Sequence, residues 1–296
     1  MPADATAAPP PLREPPQRMD TRRGKILATQ IQQQDKETEI HWLGTEPDTF
    51  LALFRADHSG EPFANLLILH DNRQHPDWPG LVNSLRTRLA AHGWNTLAIS
   101  LPDYIEQPAL PLREQASSEP GAEPAAVAPT TPDPAAGAAT PEDPADKPSV
   151  EYPAAEVPDV VDARAREAIT FLQQKADLPL AIVAVGLSAT IAAKKAQSML
   201  VADISGLVII DPVEPASLEF NINLDTMDLR IPVLDIAPGF SPRSDPQLRR
   251  NSATRSRHPL YQQRVLPGTG PDFAGMVPAV VRAIRGWGER YFKQPQ

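Results

Sequence analysis

Short apolar runs alternate with amphipathic segments along most of this sequence, and that alternation constrains the fold more than any other feature. The strand-length runs are Asn65–His70, Trp94–Ser100, Leu180–Val185, Ser205–Ile210 and Ile231–Ile236. Apolar residues recur at helical spacing in Trp78–Ala91, Pro158–Ala176, Ala189–Leu200 and Met276–Trp287. Strands that are apolar along their whole length are typical of a parallel sheet covered by helices on both faces. The sequence therefore predicts an α/β fold with a mostly parallel sheet.

Shorter runs predict the two ends of that sheet. Thr38–Leu43 and Asp48–Ala56 are separated by a turn that contains glycine and proline, which favours an opening hairpin. Gln263–Leu266 predicts a last, shorter strand before the C-terminal helix.

Proline is a second constraint, because the 35 prolines of this 296-residue chain are clustered. Residues 1–24 predict a disordered, proline-rich leader. Residues 103–157 are rich in Ala, Pro, Glu and Asp and have little apolar surface to bury, so they cannot offset the entropy cost of ordering. We expect a disordered insertion here, within one large domain made of residues 25–102 and 158–292. A tolerated surface loop is the simpler interpretation of the insertion, and a spacer or docking tail is the alternative.

Charge and residue types exclude several functions. Residues 103–150 contain nine carboxylates and two cations, so most of the net charge of −9 lies in the insertion. Nothing resembles the broad basic face that binds a phosphate backbone, so we expect no nucleic-acid partner. The sequence has no cysteine, which excludes thiolate catalysis, and it has no motif for a cofactor. No apolar run reaches the ~20 residues that span a bilayer, and no signal peptide is visible.

A candidate catalytic serine lies between the Leu180–Val185 run and the helix that follows it. Gly186–Thr190 (GLSAT) resembles the nucleophile elbow, G-x-S-x-G, with threonine in place of the second glycine. Such a turn exposes a hydroxyl at the carboxyl edge of the sheet, where the helix N-terminus favours a developing negative charge. Ser188 is therefore a candidate nucleophile, flanked by the N–H groups of Leu187 and Ala189. The alternative is that Ser188 only caps the helix.

The loop that follows Asn65–His70 contains more His, Asp, Asn and Arg than a connection requires. In hydrolases with a sheet of this kind, this loop supplies a backbone N–H to the oxyanion hole. His70, Asp71 and His75 are therefore candidate residues of an oxyanion site. Metal binding by His70, His75 and Asp77 lacks any specific ligand spacing, and we expect no metal.

Several stretches resemble a known family. HPDWPG (His75–Gly80), GWNTLAISLPD (Gly93–Asp103) and RVLPGTGPDF (Arg264–Phe273) resemble the bacterial domain-of-unknown-function family 3530, which is similar to α/β-hydrolases. The resemblance runs from about Glu39 to Tyr291 and excludes the insertion. It implies an α/β-hydrolase-like fold and an exported, periplasmic protein.

The resemblance also reveals a departure at the position of the triad histidine. An LPG-x-x-His-x-Phe pattern would place that histidine at Pro271, which cannot accept a proton. Without a general base, a serine hydroxyl is a poor nucleophile at neutral pH. Asp211, Asp235 and Asp245 are candidate triad acids, and His258 is a candidate substitute base. A surface or capping histidine is the simpler interpretation of His258.

Five arginines follow the Ile231–Ile236 run closely: Arg243, Arg249, Arg250, Arg255 and Arg257. We expect a solvated charged face here, since most charge clusters are solvated. The alternative is a site for an anionic ligand or an acidic partner.

The missing histidine favours a degenerate member of the hydrolase fold that acts as a binding or scaffolding domain. Its partner would be a small molecule or a protein, and the sequence does not specify the oligomeric state. The alternative is a weak serine hydrolase, an esterase or acyl hydrolase, that uses Ser188. The fold alone does not decide between them, because one fold hosts many functions.

Overall fold

The computed structural model describes residues 19–105, 151–199, 204–226 and 229–293, without the side chains of residues 19, 197–199 and 224. Eight strands of these residues form one sheet: β1 (Glu39–Leu43), β2 (Phe50–Arg55), β3 (Ala64–Leu69), β4 (Trp94–Ile99), β5 (Leu180–Val185), β6 (Gly206–Ile210), β7 (Val233–Pro238) and β8 (Tyr261–Leu266). Their order is β1-β2-β4-β3-β5-β6-β7-β8. Strand β2 is antiparallel to both of its neighbours, and every pair from β4 to β8 is parallel. The predicted fold class and the opening hairpin are confirmed.

The described helices are α1 (Met19–Gln34), α2 (Leu81–Leu89), α3 (Val157–Lys175), α4 (Leu187–Met199), α5 (Ile222–Asp225), α6 (Pro246–Ser256) and α7 (Val277–Phe292), with a 3₁₀ turn at Ala90–His92. Helices α3 and α4 pack on one face of the sheet, and α2 and α7 pack on the other. Strands β2 to β7 are buried along their whole length because both faces of the sheet are covered. Among the described residues, every helix is too short or too polar to cross a bilayer.

Helix α1 differs from the sequence prediction, because it begins at Met19 and so includes the last residues of the predicted leader. Ile31 of α1 packs on Leu51 and Leu53 of β2. Polar contacts fix its first turn, where Asp20 pairs with Arg164 at 2.5 Å. The sequence does not predict this helix, because only a narrow stripe of its residues is apolar. Residues 1–18 lie outside the described residues.

The flanks of the predicted insertion are also packed on the domain. Tyr104 is buried, with its backbone N–H bonded to the Asn72 side chain at 2.8 Å. Tyr152 donates its hydroxyl to Asp48 at 2.6 Å, and Val157 is buried where α3 begins. Only residues 106–150 of the predicted segment lie outside the described residues. Residues 103–105 and 151–157, at the two ends of the predicted segment, are therefore part of the described structure.

Candidate functional site

The turn between β5 and α4 is centred on Gly186. Strand β5 ends at Val185 and α4 begins at Leu187, so Gly186 is the single residue between them. It has a φ of +59°, in the left-handed region that a strained strand-to-helix elbow requires. Ser188 lies in the first turn of α4, two residues beyond the elbow, and is buried.

The carboxylate of Asp71 occupies the space beside Gly186. A Cβ atom placed on Gly186 would lie 1.9 Å from Oδ1 of Asp71 and 2.0 Å from its Cγ. Real Cβ atoms are essentially never found within 3.0 Å of a non-bonded heavy atom of another residue. A side chain at the elbow therefore requires Asp71 to move.

Two backbone N–H groups hold that carboxylate. Leu187 donates to Oδ1 of Asp71 at 2.9 Å, and Asn72 donates to the same oxygen at 2.8 Å. In α/β-hydrolases the oxyanion hole consists of the N–H that follows the elbow nucleophile and an N–H from the loop after β3. When Gly186 is taken as the elbow residue, the N–H of Leu187 is the one that follows the nucleophile position. The N–H of Asn72 is then the one from the loop after β3. Both donors are occupied by the chain's own carboxylate.

Arg243, in the loop after β7, forms ion pairs with Asp71 and Asp211. Its Nη1 donates to Oδ2 of Asp71 at 2.9 Å, and its Nη2 donates to Oδ2 of Asp211 at 2.7 Å. Ser244 donates its hydroxyl to the other oxygen of Asp211 at 2.9 Å. Burial opposes the charge of Arg243, but the hydrogen bonds to Asp211 and Asp71 outweigh it and raise the pKa of the guanidinium. We call Gly186, Asp71, Asp211 and Arg243 the elbow cluster.

Ser188 and His70 are both engaged with the backbone. The hydroxyl of Ser188 donates to the carbonyl oxygen of His70 at 2.5 Å. On the His70 ring, Nδ1 bonds the carbonyl of Asp71 at 2.8 Å and Nε2 accepts from Leu101 N–H at 3.1 Å. This pattern defines a neutral tautomer, and burial lowers the pKa of His70 to about 4. Neither ring nitrogen is left to take a proton from Ser188.

The other oxyanion candidates take part in local structure. Ala189 donates its N–H to the carbonyl of Gly186 at 3.2 Å, as part of the turn into α4. His75 accepts from the N–H of Asp77 at 3.2 Å, and its ring lies 5.2 Å from that of Trp78. Burial lowers the pKa of His75.

The remaining acid and base candidates are separated from Ser188 or used elsewhere. Asp235 lies within β7 and forms two hydrogen bonds to Arg249, at 2.8 and 3.0 Å. Asp245 caps α6 by accepting from the N–H groups of Gln247 and Leu248. His258 precedes β8 and so lies at the amino edge of the parallel sheet, whereas Ser188 follows β5 at the carboxyl edge. Of the three acids, only Asp211 joins the elbow cluster.

No imidazole occupies the loop that follows β8. Thr269 ties this loop to the one after β7, because its carbonyl accepts from Phe240 N–H at 3.1 Å. Pro271 stands at the position that the family resemblance assigns to histidine. Among the described residues, no three His, Asp or Glu side chains are grouped in a way that could hold a metal ion.

The structure forms a tight turn at the residues that the sequence singles out, and Gly186 rather than Ser188 lies at its centre. Counted around Gly186, the elbow reads Ala184-Val185-Gly186-Leu187-Ser188, with small residues two before and two after the centre. That spacing of small residues is the sequence feature that indicates an elbow centred on Gly186. The serine two residues later matches the G-x-S pattern and draws attention away from it. Arg243 belongs to the arginine cluster, but the sequence does not indicate its pairing with Asp71 and Asp211, which lie far away along the chain.

A cleft of about 550 Å³ opens near the same edge of the sheet. Helix α1, the loop after β3 and both flanks of the insertion line it, and Ile105 and Glu151 are both among the lining residues. Three exposed apolar side chains meet here, since Ile26 is 59% exposed, Trp78 38% and Ile105 40%. A cluster of this kind is typical of an interaction surface.

Solved structures with the same fold are esterases and related hydrolases. The esterase Pf2001 of Pyrococcus furiosus superposes with a TM-score of 0.59 at 11% identity, covering 88% of this chain and 93% of that one. Est1E of Butyrivibrio proteoclasticus gives 0.58 at 10% identity, covering 86% and 99%. XC6422 of Xanthomonas campestris, described as an α/β serine hydrolase without a lid, gives 0.57 at 12% identity, covering 88% and 98%. At these identities the likeness establishes the fold.

The sequence matches one family over nearly its whole length. No match was found among curated protein sequences. The profile of the family described as proteins of unknown function, DUF3530, matches residues 1–290. The chain therefore belongs to the DUF3530 family, and its fold is that of the α/β-hydrolases.

Proposed function

We propose that this protein is a non-catalytic member of the α/β-hydrolase fold, which acts by binding a small molecule or a protein. The observation that carries the proposal is the elbow cluster. A glycine stands where the fold presents its nucleophile, and the carboxylate of Asp71 accepts from the two N–H groups that would stabilise an oxyanion.

The surroundings of Ser188 support the same conclusion. Its hydroxyl is buried and donates to a backbone carbonyl. A serine becomes a useful nucleophile only when a base takes its proton in the transition state. His70 is bonded through both ring nitrogens and His258 lies at the opposite edge of the sheet, so neither is positioned for that role.

The cleft beside α1 supports the binding part of the proposal. Its volume is within the range of ~300–1,000 Å³ that small-molecule sites have. It also lies near the carboxyl ends of β3 and β4, close to the point where the strand order reverses. Ligands of open α/β sheets bind at such points.

A weak serine hydrolase that uses Ser188 is the second candidate. The structural neighbours named as esterases and serine hydrolases favour it, as does the place of Ser188 within two residues of the elbow. Asp211, Asp235 or Asp245 would then serve as the acid, and the serine would have to leave its bond to His70.

Labelling with a fluorophosphonate probe tests the choice, together with hydrolysis of p-nitrophenyl acetate. We expect the wild-type protein to react no faster than the Ser188→Ala variant in either assay. Loss of a triad member costs on the order of 10⁴–10⁶ in rate, so a residual triad would be unmistakable against this control. An active serine esterase, labelled in parallel, verifies the probe. Turnover or labelling that disappears in Ser188→Ala would establish the hydrolase and refute the non-catalytic proposal.

A further inference from the structure

The arginines between β7 and β8 separate into groups with different surroundings. Arg243 and Arg249 are ion-paired, with Asp71 and Asp211 and with Asp235, respectively. The prediction of a solvated face is wrong for Arg249, which is only 1% exposed, whereas the side chain of Arg243 stays 33% exposed. Arg250 and Arg257 instead line an open pocket of about 500 Å³ between α6 and β8.

The described residues that line this pocket include cations and no carboxylate. They are Arg250, Ala253, Thr254, Arg257, His258, Tyr261 and Gln263. The acid behind the pocket is Asp235, which already accepts from Arg249, Tyr261 and Gln263.

The guanidinium of Arg250 is held in place by its neighbours. Its Nε donates to Oε1 of Gln263 at 2.8 Å. Gln263 is fixed in turn, because its Nε2 donates to Asp235 at 2.7 Å and to the carbonyl of Pro246 at 2.8 Å. These bonds orient Arg250 through Nε and do not use its two terminal nitrogens. An oriented guanidinium loses less entropy when it binds an anion.

The electrostatic environment of His258 agrees with this charge distribution. Burial lowers the pKa of His258, a backbone contact with Leu229 opposes the change, and the positive charge of Arg230 adds to it. Nδ1 of His258 accepts from the N–H of Leu260 at 3.2 Å, as a neutral imidazole does. The positive potential at the pocket therefore comes from arginine.

We propose that this pocket binds a phosphate group, either free or as a phosphate monoester, through Arg250 and Arg257. Two guanidinium groups offer more parallel N–H donors than one carboxylate can accept, whereas a phosphate dianion has three terminal oxygens for them. The rings of His258 and Tyr261, whose centroids are 6.2 Å apart, would contact the organic part of a monoester. The site lies away from the elbow cluster and does not depend on whether Ser188 reacts.

Isothermal titration calorimetry at low ionic strength tests the proposal with three probes: phenyl phosphate, inorganic phosphate and benzoate. We expect saturable one-to-one binding of phenyl phosphate and much weaker binding of benzoate. Tighter binding of phenyl phosphate than of inorganic phosphate would identify a monoester site, and equal binding would identify free phosphate as sufficient. Benzoate that binds as tightly as phenyl phosphate, or no saturable binding of either phosphate, would overturn the proposal.

Matched variants locate the site. Arg250→Gln and Arg257→Gln should each weaken phenyl phosphate binding about tenfold or more, since each removes charge-assisted hydrogen bonds. Arg264→Gln removes an exposed arginine of β8 that does not line the pocket, and it should leave the affinity unchanged. All three positions are at the surface, and unchanged melting temperatures would verify their folding. Equal effects of the three substitutions would refute a site at this pocket, because they would reflect only the loss of net charge.

Discussion

Gly186 shows how one residue combines two constraints that no other amino acid satisfies. Its positive φ excludes most side chains on backbone grounds, and the Asp71 carboxylate excludes them by collision. The two constraints are separable, because Gly268 has a similar φ of +76° and a Cβ atom placed on it would have nothing within 4 Å.

Alanine substitutions at these two glycines should therefore have unequal effects. Gly268→Ala should lower the free energy of unfolding by about 1–2 kcal/mol, the cost of a left-handed residue with a Cβ. Gly186→Ala should lower it by about 3 kcal/mol or more, because displacement of Asp71 adds to that cost. Urea denaturation of both variants provides the measurement. Equal losses would mean that Asp71 moves aside freely, and the elbow would then be open to a side chain.

At the scale of elements, the charged members of the elbow cluster connect three loops at one edge of the sheet, around the turn at Gly186 that follows β5. Asp71 follows β3, Asp211 follows β6, and Arg243 follows β7. Asp211 is fully buried and Arg243 is its salt-bridge partner, while Asp71 is 7% exposed. Two buried carboxylates therefore share one positively charged partner, at the sheet edge where enzymes of this fold have their catalytic residues.

Removing that cation should destabilise the protein strongly. Arg243→Gln would leave two buried carboxylates without their charge partner; because the Arg243 side chain is itself 33% exposed, we expect a loss of about 2 kcal/mol, less than for a fully buried pair. Arg285→Gln breaks only an exposed pair with Glu289 within α7, so its effect should stay below about 1 kcal/mol. Chemical denaturation distinguishes the two variants. A small loss for Arg243→Gln would show that water replaces the guanidinium without penalty.

The accuracy of sequence-based prediction also differs between elements, for a physical reason. Strands β3 to β7 could be predicted because burial on both faces makes them apolar without interruption. Helix α6 could not, because it has no apolar stripe: its buried residues are Ser252, Ala253 and Arg249, the last of which pairs with Asp235. The candidate site was predicted in part for the same reason. The turn that contains Ser188 is formed by residues that are neighbours in the sequence. Arg243 and its two acids, in contrast, come together only in the folded chain.

At the scale of the whole molecule, the two flanks of the proline-rich segment lie beside the same cleft. Ile105 and Glu151 both line the cleft beside α1. Tyr104 anchors the first flank through Asn72. Tyr152 anchors the second through Asp48, and its ring lies 5.7 Å from the guanidinium of Arg164. Residues 106–150, by composition, have little to add to the core.

Two nested deletions, each closed with the same short Gly/Ser linker, should therefore differ in stability. Deletion of residues 106–150 should leave the melting temperature within about 2 °C of wild type, because the described anchors on both flanks remain and the ends are close. Deletion of residues 106–154 also removes Tyr152, with its hydrogen bond to Asp48 and its contact with Arg164. Loss of about 1–2 kcal/mol from these contacts should lower the melting temperature by several degrees in a domain of this size. Differential scanning calorimetry measures both. A large decrease already in the shorter deletion would mean that residues 106–150 contribute packing of their own, and the composition argument for this segment would then be wrong.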